Sequence, residues 1–169
     1  MDATELRAMQ APLKDRYRHE PGAAVVTLRA SGALDGAGIV CKVETGRALA
    51  VAGLHPATGG SGLELCSGDM LLEALVACAG VTLKAVATAL DITLRSGRVT
   101  AEGDLDFRGT LGVDRDAPVG FRTVRLAFEV DTDASAEQVA SLLKLTERYC
   151  VVLQTITRPP ALEVMVSRT

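Results

Sequence analysis

The chain of 169 residues contains no tryptophan, two tyrosines and three phenylalanines. With so few flat rings, a platform for stacked bases or sugars has little to be built from. A basic tract is missing too. The 18 Lys and Arg residues against 21 Asp and Glu leave a formal charge of −3, which disfavours nucleic acid as a partner. The longest uninterrupted apolar run, Ala74 to Val81, is far shorter than the roughly 20 residues that span a bilayer. Asp2, Glu5 and Arg7 break up the first residues, so no signal-peptide core forms there. A soluble, cytoplasmic protein without membrane or nucleic-acid partners is the expectation. Its four cysteines, Cys41, Cys66, Cys78 and Cys150, are too sparse for a disulfide scaffold, and no CxxC spacing occurs. His19 and His55 stand apart from them, so neither a zinc site nor any other metal or cofactor is expected.

What is present reads as one domain, with 48% hydrophobic and 23% charged residues. Leu6, Met9, Leu13 and Tyr17 share one face of a helix over 4–17, with Pro12 predicting a kink or a late start. Strands are predicted around 24–30, 39–45 and 48–54. The first two are joined by a turn containing Gly32, Asp35, Gly36 and Gly38. A loop of small residues, 56–62, precedes a helix over 70–90 that Ser67 is placed to cap, with Asp69 in its first turn. Val99, Ala101, Leu105 and Phe107 alternate with polar residues, and Val124, Leu126, Phe128 and Val130 repeat the period on the next strand. Ser135 and Gln138 form a capping box, opening a helix whose stripe is Val139, Leu142, Leu143, Thr146, Tyr149 and Cys150. Leu162, Val164 and Val166 predict a closing strand after Pro159-Pro160. The order describes an α+β fold with mostly antiparallel pairing.

The 70–90 helix is apolar on nearly every face, and before Thr88 its only strongly polar side chains are Glu73 and Lys84. Such a helix must be buried, and one small domain has difficulty wrapping it completely. A homodimer is therefore expected.

Cys78 lies mid-way along that helix, and Cys150 ends the second one. If the helices meet, the sulfurs come within disulfide range. Two adjacent thiols suit peroxide reduction, where one is oxidised to a sulfenic acid and the other condenses with it. On pattern alone the favoured reading of the same two residues is inert core packing. Cys41 sits at an inward strand position. Cys66 precedes the helix as a lone thiol or an alternative partner for Cys78, and both histidines read as surface residues.

The stretch Ser67-Gly-Asp-Met-Leu-Leu-Glu-Ala-Leu-Val-Ala-Cys78 resembles the first cysteine helix of the OsmC/Ohr superfamily, the osmotically inducible and organic hydroperoxide resistance proteins. Glu147-Arg-Tyr-Cys150 resembles their second cysteine motif. Gly59-Gly60 and Gly120-Phe121 fit the same scheme, over residues 23–168. The resemblance implies an OsmC-like domain over 23–169 behind an N-terminal helical extension, 1–22. It further implies antiparallel sheets wrapped around two long central helices in an intertwined homodimer, with active sites at the subunit interface. Cys78 would be the peroxidatic thiol and Cys150 its resolving partner. The implied substrates are organic hydroperoxides, and the implied reductant is a dithiol such as a lipoyl group.

Three departures stand out. The glutamate of the peroxidase branches is replaced by Gly68, with an acid one place later, Asp69. Leu34-Asp35 stands where those branches carry an arginine after the first strand. Cys150-Val151 replaces their Cys-Pro. An arginine beside the sulfur lowers its pKa, whereas an apolar shell leaves a protonated thiol. Arg47, Arg29 and Arg148 are the candidate replacements, with Asp69 placed to orient one of them. The alternative reading is a protein without peroxidase activity, binding a small apolar ligand in a cleft lined by Met70, Leu71, Leu75 and Phe121.

Overall fold

A computed structural model of the chain describes residues 2–19, 31–33, 40–44, 49–112 and 114–168. The predicted strand 24–30, the turn residues Asp35, Gly36 and Gly38, and Arg29 and Arg47 lie outside them. The order is α1 (Ala3–His19), β1 (Ser31–Ala33), β2 (Val40–Glu44), β3 (Leu49–Gly53), β4 (Leu65–Cys66), α2 (Ser67–Ala89), β5 (Ser96–Leu105), α3 (Phe107–Thr110), β6 (Phe121–Asp131), α4 (Ala136–Tyr149) and α5 (Val151–Thr157). The fold is α+β, with a four-stranded sheet β1-β2-β3-β4 and a two-stranded sheet β5-β6. All pairings are antiparallel except β3 with β4.

Local chemistry explains most boundaries. Ser135 accepts from the Gln138 N–H while the Gln138 side chain accepts from the Ser135 N–H, closing the predicted capping box of α4. β5 and β6 pair from Ser96↔Asp131 to Leu105↔Phe121 and keep their alternation, one face half-buried and the other solvated. On the solvated face Arg125 stands directly opposite Glu102 and binds both Glu102 and Asp104. Such a cross-strand cluster adds a few tenths of a kcal/mol per pair. Gly103 takes an inward position where a Cβ would lie 2.4 Å from the Phe121 ring, so the ring occupies the space a side chain would need.

Several expectations are corrected. α1 runs through Pro12 to His19 without a break. Gly32 is paired with Val43 inside β1 and is not part of the turn. The N-cap of α2 is Cys66, with Ser67 already helical and no side-chain cap present. Phe107 leaves β5 to open the short α3, which Asp106 caps through the Arg108 N–H. Tyr149 is exposed, because α4 ends there and the chain turns at Cys150 into the unpredicted α5. Residues 159–168 form no strand, and Leu162, Val164, Met165 and Val166 are 86–93% exposed.

The core lies along one side of α2. Towards its C-terminal end Leu83, Val86, Ala87 and Ile92 pack with Leu142 of α4. Towards its middle Leu75 and Ala79 pack with Cys150 against Cys78, Val99, Leu126, Phe128 and Ile156. Burial of α2 on every side is not realised within the chain. Only 22% of its most apolar 18-residue window is buried.

Candidate functional site

The second of these clusters brings Cys78 and Cys150 together. Cys78 projects from the middle of α2 and is half-buried, whereas Cys150 is fully buried. Both are free thiols, and each side chain lies within hydrogen-bonding reach of the other. Cys150 is the joint between two helices. Its N–H donates to the Thr146 carbonyl at 2.9 Å to finish α4, and its carbonyl accepts from the Gln154 N–H at 2.9 Å to begin α5. The first N–H groups of a helix have no partner inside it. Here those of Val151, Val152 and Leu153 open towards the two sulfurs.

The environment treats the two thiols oppositely. Burial pushes the Cys78 thiol up, but the Val152 N–H, the Cys150 thiol, the Val151 N–H and the Thr82 hydroxyl oppose it and bring it below its ordinary 9.0. The Thr82 hydroxyl already donates to the Cys78 carbonyl at 2.7 Å, and it has one proton, so the Val152 amide, the Cys150 thiol and the Val151 amide are the main donors to the sulfur. Cys150 is raised by burial and by the neighbouring charge of Cys78, with the Leu153 N–H only partly offsetting this. The surroundings therefore favour ionisation of Cys78 over that of Cys150.

The other sequence-derived candidates lie elsewhere. Asp69 is nine residues before Cys78, about 13 Å along the helix axis, in an open groove with Leu72, Glu73, Val76, Ala77 and Ala101. Cys66, at the head of α2, is about 18 Å from Cys78 by the same rise and cannot pair with it within the chain. The Arg148 guanidinium lies 5.6 Å from the Tyr149 ring centroid rather than over a sulfur. Among the described residues no cation contributes to the titration of Cys78. Of the residues proposed to line an apolar cleft, Leu75 is fully buried in the core and Leu71 is 42% exposed. His55 is half-buried, not a free surface residue. Its Nδ1 accepts from the Ala57 N–H, and its ring stacks on Phe107 at 4.9 Å. Among the described residues no group of three or more His, Cys, Asp or Glu is placed to hold a metal ion.

Two groups at the site escape the sequence reading. Thr82, one turn beyond Cys78, carries a visible signal in its spacing of four residues. The Val151 and Val152 amides carry none, since every non-proline residue has an N–H and only the break at Cys150 aims these two.

Comparison with known proteins places this geometry in context. The family model described as OsmC-like protein matches residues 60–165. An OsmC-like protein from Mycoplasma pneumoniae superposes with a TM-score of 0.66 at 16% identity, covering 79% of this chain and 89% of the other. An organic hydroperoxide resistance protein OsmC from Legionella pneumophila gives 0.61 at 18% identity, covering 80% and 92%. The organic hydroperoxide resistance protein of Bacillus subtilis gives 0.52 at 18% identity, covering 80% and 93%. At these identities the superpositions speak for the fold alone. No curated protein matches the chain. The family match spans well over half of the sequence and includes both cysteine helices, so the chain belongs to the OsmC-like protein family.

Proposed function

We propose that this protein is a thiol-dependent peroxidase that reduces organic hydroperoxides through Cys78 and Cys150. The observation that carries the reading is the adjacency of two free thiols whose surroundings push their pKa values apart. The Cys78 thiolate attacks the terminal oxygen of ROOH. An S–O bond forms, the O–O bond breaks, and RO⁻ leaves and takes up a proton as the alcohol. Cys150, deprotonated as it reacts, attacks the sulfenic sulfur. The S–S bond forms, the S–O bond breaks, and water departs. A dithiol, of which a lipoyl group is one form, then exchanges with this disulfide and is itself oxidised, restoring both thiols. We further propose that residues 23–169 make up the OsmC-like domain and that α1 is an addition to it.

Purified protein treated with cumene hydroperoxide should lose two thiols and yield a Cys78–Cys150 bridge by mass spectrometry. Cys150→Ser should leave a sulfenic acid that over-oxidises, and Cys78→Ser should abolish consumption. Peroxide loss no faster than in buffer would remove the peroxidase reading. A second reading is binding of a small apolar ligand without redox turnover. It draws on one observation, the lack of a cation at Cys78 among the described residues.

A further inference from the structure

The elbow between α4 and α5 carries a groove that the thiol pair does not use. Its volume is about 440 Å³, within the range of small-molecule sites. Along α5 its floor is the stripe Val151, Gln154, Thr155 and Arg158, the face opposite Val152, Leu153 and Ile156, which pack on the core. Arg148, Tyr149 and Pro160 form its walls. The floor is fixed before any ligand arrives. The Gln154 side chain donates to the Glu147 carbonyl at 2.8 Å, clamping α5 to the last turn of α4, and the Thr155 hydroxyl donates to the Val151 carbonyl at 2.9 Å.

Charge sets this groove apart. Arg95, Arg108 and Arg125 are each held by carboxylates. The guanidiniums of Arg148 and Arg158 have no ion pair or hydrogen bond among the described residues, and no described Asp or Glu lines the groove. Glu147, beside Arg148, is exposed and its carboxylate bonds to neither guanidinium. Lys144 lies one turn before Arg148 on the same flank of α4 and adds to the positive charge nearby. The two arginines hold opposite ends. The Arg148 guanidinium sits 5.6 Å from the Tyr149 ring centroid, while Arg158 ends α5, about 10 Å along that helix from Val151. The Val151 side chain and the Tyr149 and Pro160 rings make the stretch between them largely apolar.

We infer that this groove binds a small organic anion with a carboxylate at each end and an apolar stretch between, one carboxylate on Arg148 and the other on Arg158. A guanidinium takes a carboxylate through two parallel hydrogen bonds, so each end of such a ligand has a matched partner. The spare N–H of the Gln154 amide is a further donor midway along. A phosphate-sized anion engages one guanidinium and leaves the other unmatched, and so does a monocarboxylate. Val151 gives its side chain to the groove and its N–H to the Cys78 sulfur, so the site adjoins the thiol pair without including it. The inference does not rest on the redox reading.

The test is isothermal titration calorimetry of the full chain with the straight-chain dicarboxylates succinate, adipate and suberate. Octanoate, the monocarboxylate of the same chain length as suberate, and inorganic phosphate serve as comparisons. The best-fitting dicarboxylate should bind at one equivalent, at least tenfold more tightly than octanoate or phosphate, and should weaken as salt is added. Arg148→Gln and Arg158→Gln, each alone, should lower its affinity about tenfold, to the level of the monocarboxylate. Both side chains are exposed, so the variants should fold, and far-ultraviolet circular dichroism checks that they do. No saturable binding of any dicarboxylate at millimolar concentration would overturn the inference. So would octanoate or phosphate binding as tightly as the best dicarboxylate, or folded variants that bind as wild type does. Because no peroxide is present, the outcome is separate from that of the proposed function.

Discussion

Replacing Val151 with proline tests the origin of the Cys78 thiolate more sharply than removing any side chain. Val151 is the first residue of α5, where proline is well tolerated, because its N–H has no helical partner to lose. The preceding residue, Cys150, has φ −72° and ψ 106°, an extended conformation clear of the helical region that a following proline disfavours. The substitution therefore deletes one donor to the Cys78 sulfur and should leave the fold in place. A hydrogen bond to a charged group contributes about 1.5–3 kcal/mol. Val152 is the larger of the two amide donors, which sets Val151 at the low end, about 1.5 kcal/mol, or roughly tenfold in thiolate population near neutral pH. The assay is the pH dependence of Cys78 alkylation by iodoacetamide, run in a Cys41→Ser/Cys66→Ser background so that, with Cys150 buried, Cys78 is the thiol followed. Wild type should titrate below the ordinary 9.0, and Val151→Pro should shift the midpoint upward and slow the reaction about tenfold at pH 7. Val151→Ala keeps the N–H and trims only a side chain that is 69% exposed, so it should behave as wild type. An unchanged rate in the proline variant, or an equal loss in the alanine variant, would refute the reasoning. The related peroxidases are expected to carry proline at this place together with an arginine. The valine here supplies one backbone donor to a sulfur that no cation among the described residues reaches.

Further outcomes follow from the same contacts. Leu142 is fully buried between α4 and α2, so Leu142→Ala should cost about 2.7–5 kcal/mol in chemical denaturation, and a loss below 1 kcal/mol would mean that the site collapses around the gap. Asp106, beside Arg108, is held at about 2, and Asp104 and Asp131 are also lowered by arginines. Their stabilisation is present above the unfolded carboxylate value and disappears as pH falls towards 2, so thermal midpoints should drop between about pH 4 and 2, less steeply in high salt. Ser135→Ala removes the α4 cap and should cost about 1 kcal/mol in the same denaturation measurement. Thr82→Val leaves both amides in place and should slow Cys78 alkylation less than Val151→Pro does; a larger effect would make the hydroxyl the principal donor.

Wherever a short-range rule decides structure, the sequence was readable. The Ser135–Gln138 box, the period-two alternation of β5 and β6 and the apolar run of α2 each rest on side chains a few residues apart, and each is found as expected. The cysteine pair was readable only because both residues fall on core-facing stripes and because the flanking motifs resemble a known family. Failures came where tertiary placement overrides local pattern. Phe107 continues the alternation of β5, yet Asp106 caps a helical turn there and His55 stacks on its ring. The alternation of Leu162, Val164 and Val166 spells a strand, but a strand needs an edge to pair with, and among the described residues they find none. The amides that favour the thiolate were invisible because backbone donors are the same in every sequence.

In the proposed cycle, the unequal exposure of the two sulfurs also sets the direction of the return step. A fully buried Cys150 offers an incoming reagent no line of approach, so a reductant opening the bridge must strike the half-open Cys78 and form its mixed disulfide there. Cys150 is then expelled, and with its raised pKa it is a reluctant leaving group. On the proposed reading, that expulsion slows the opening of the bridge.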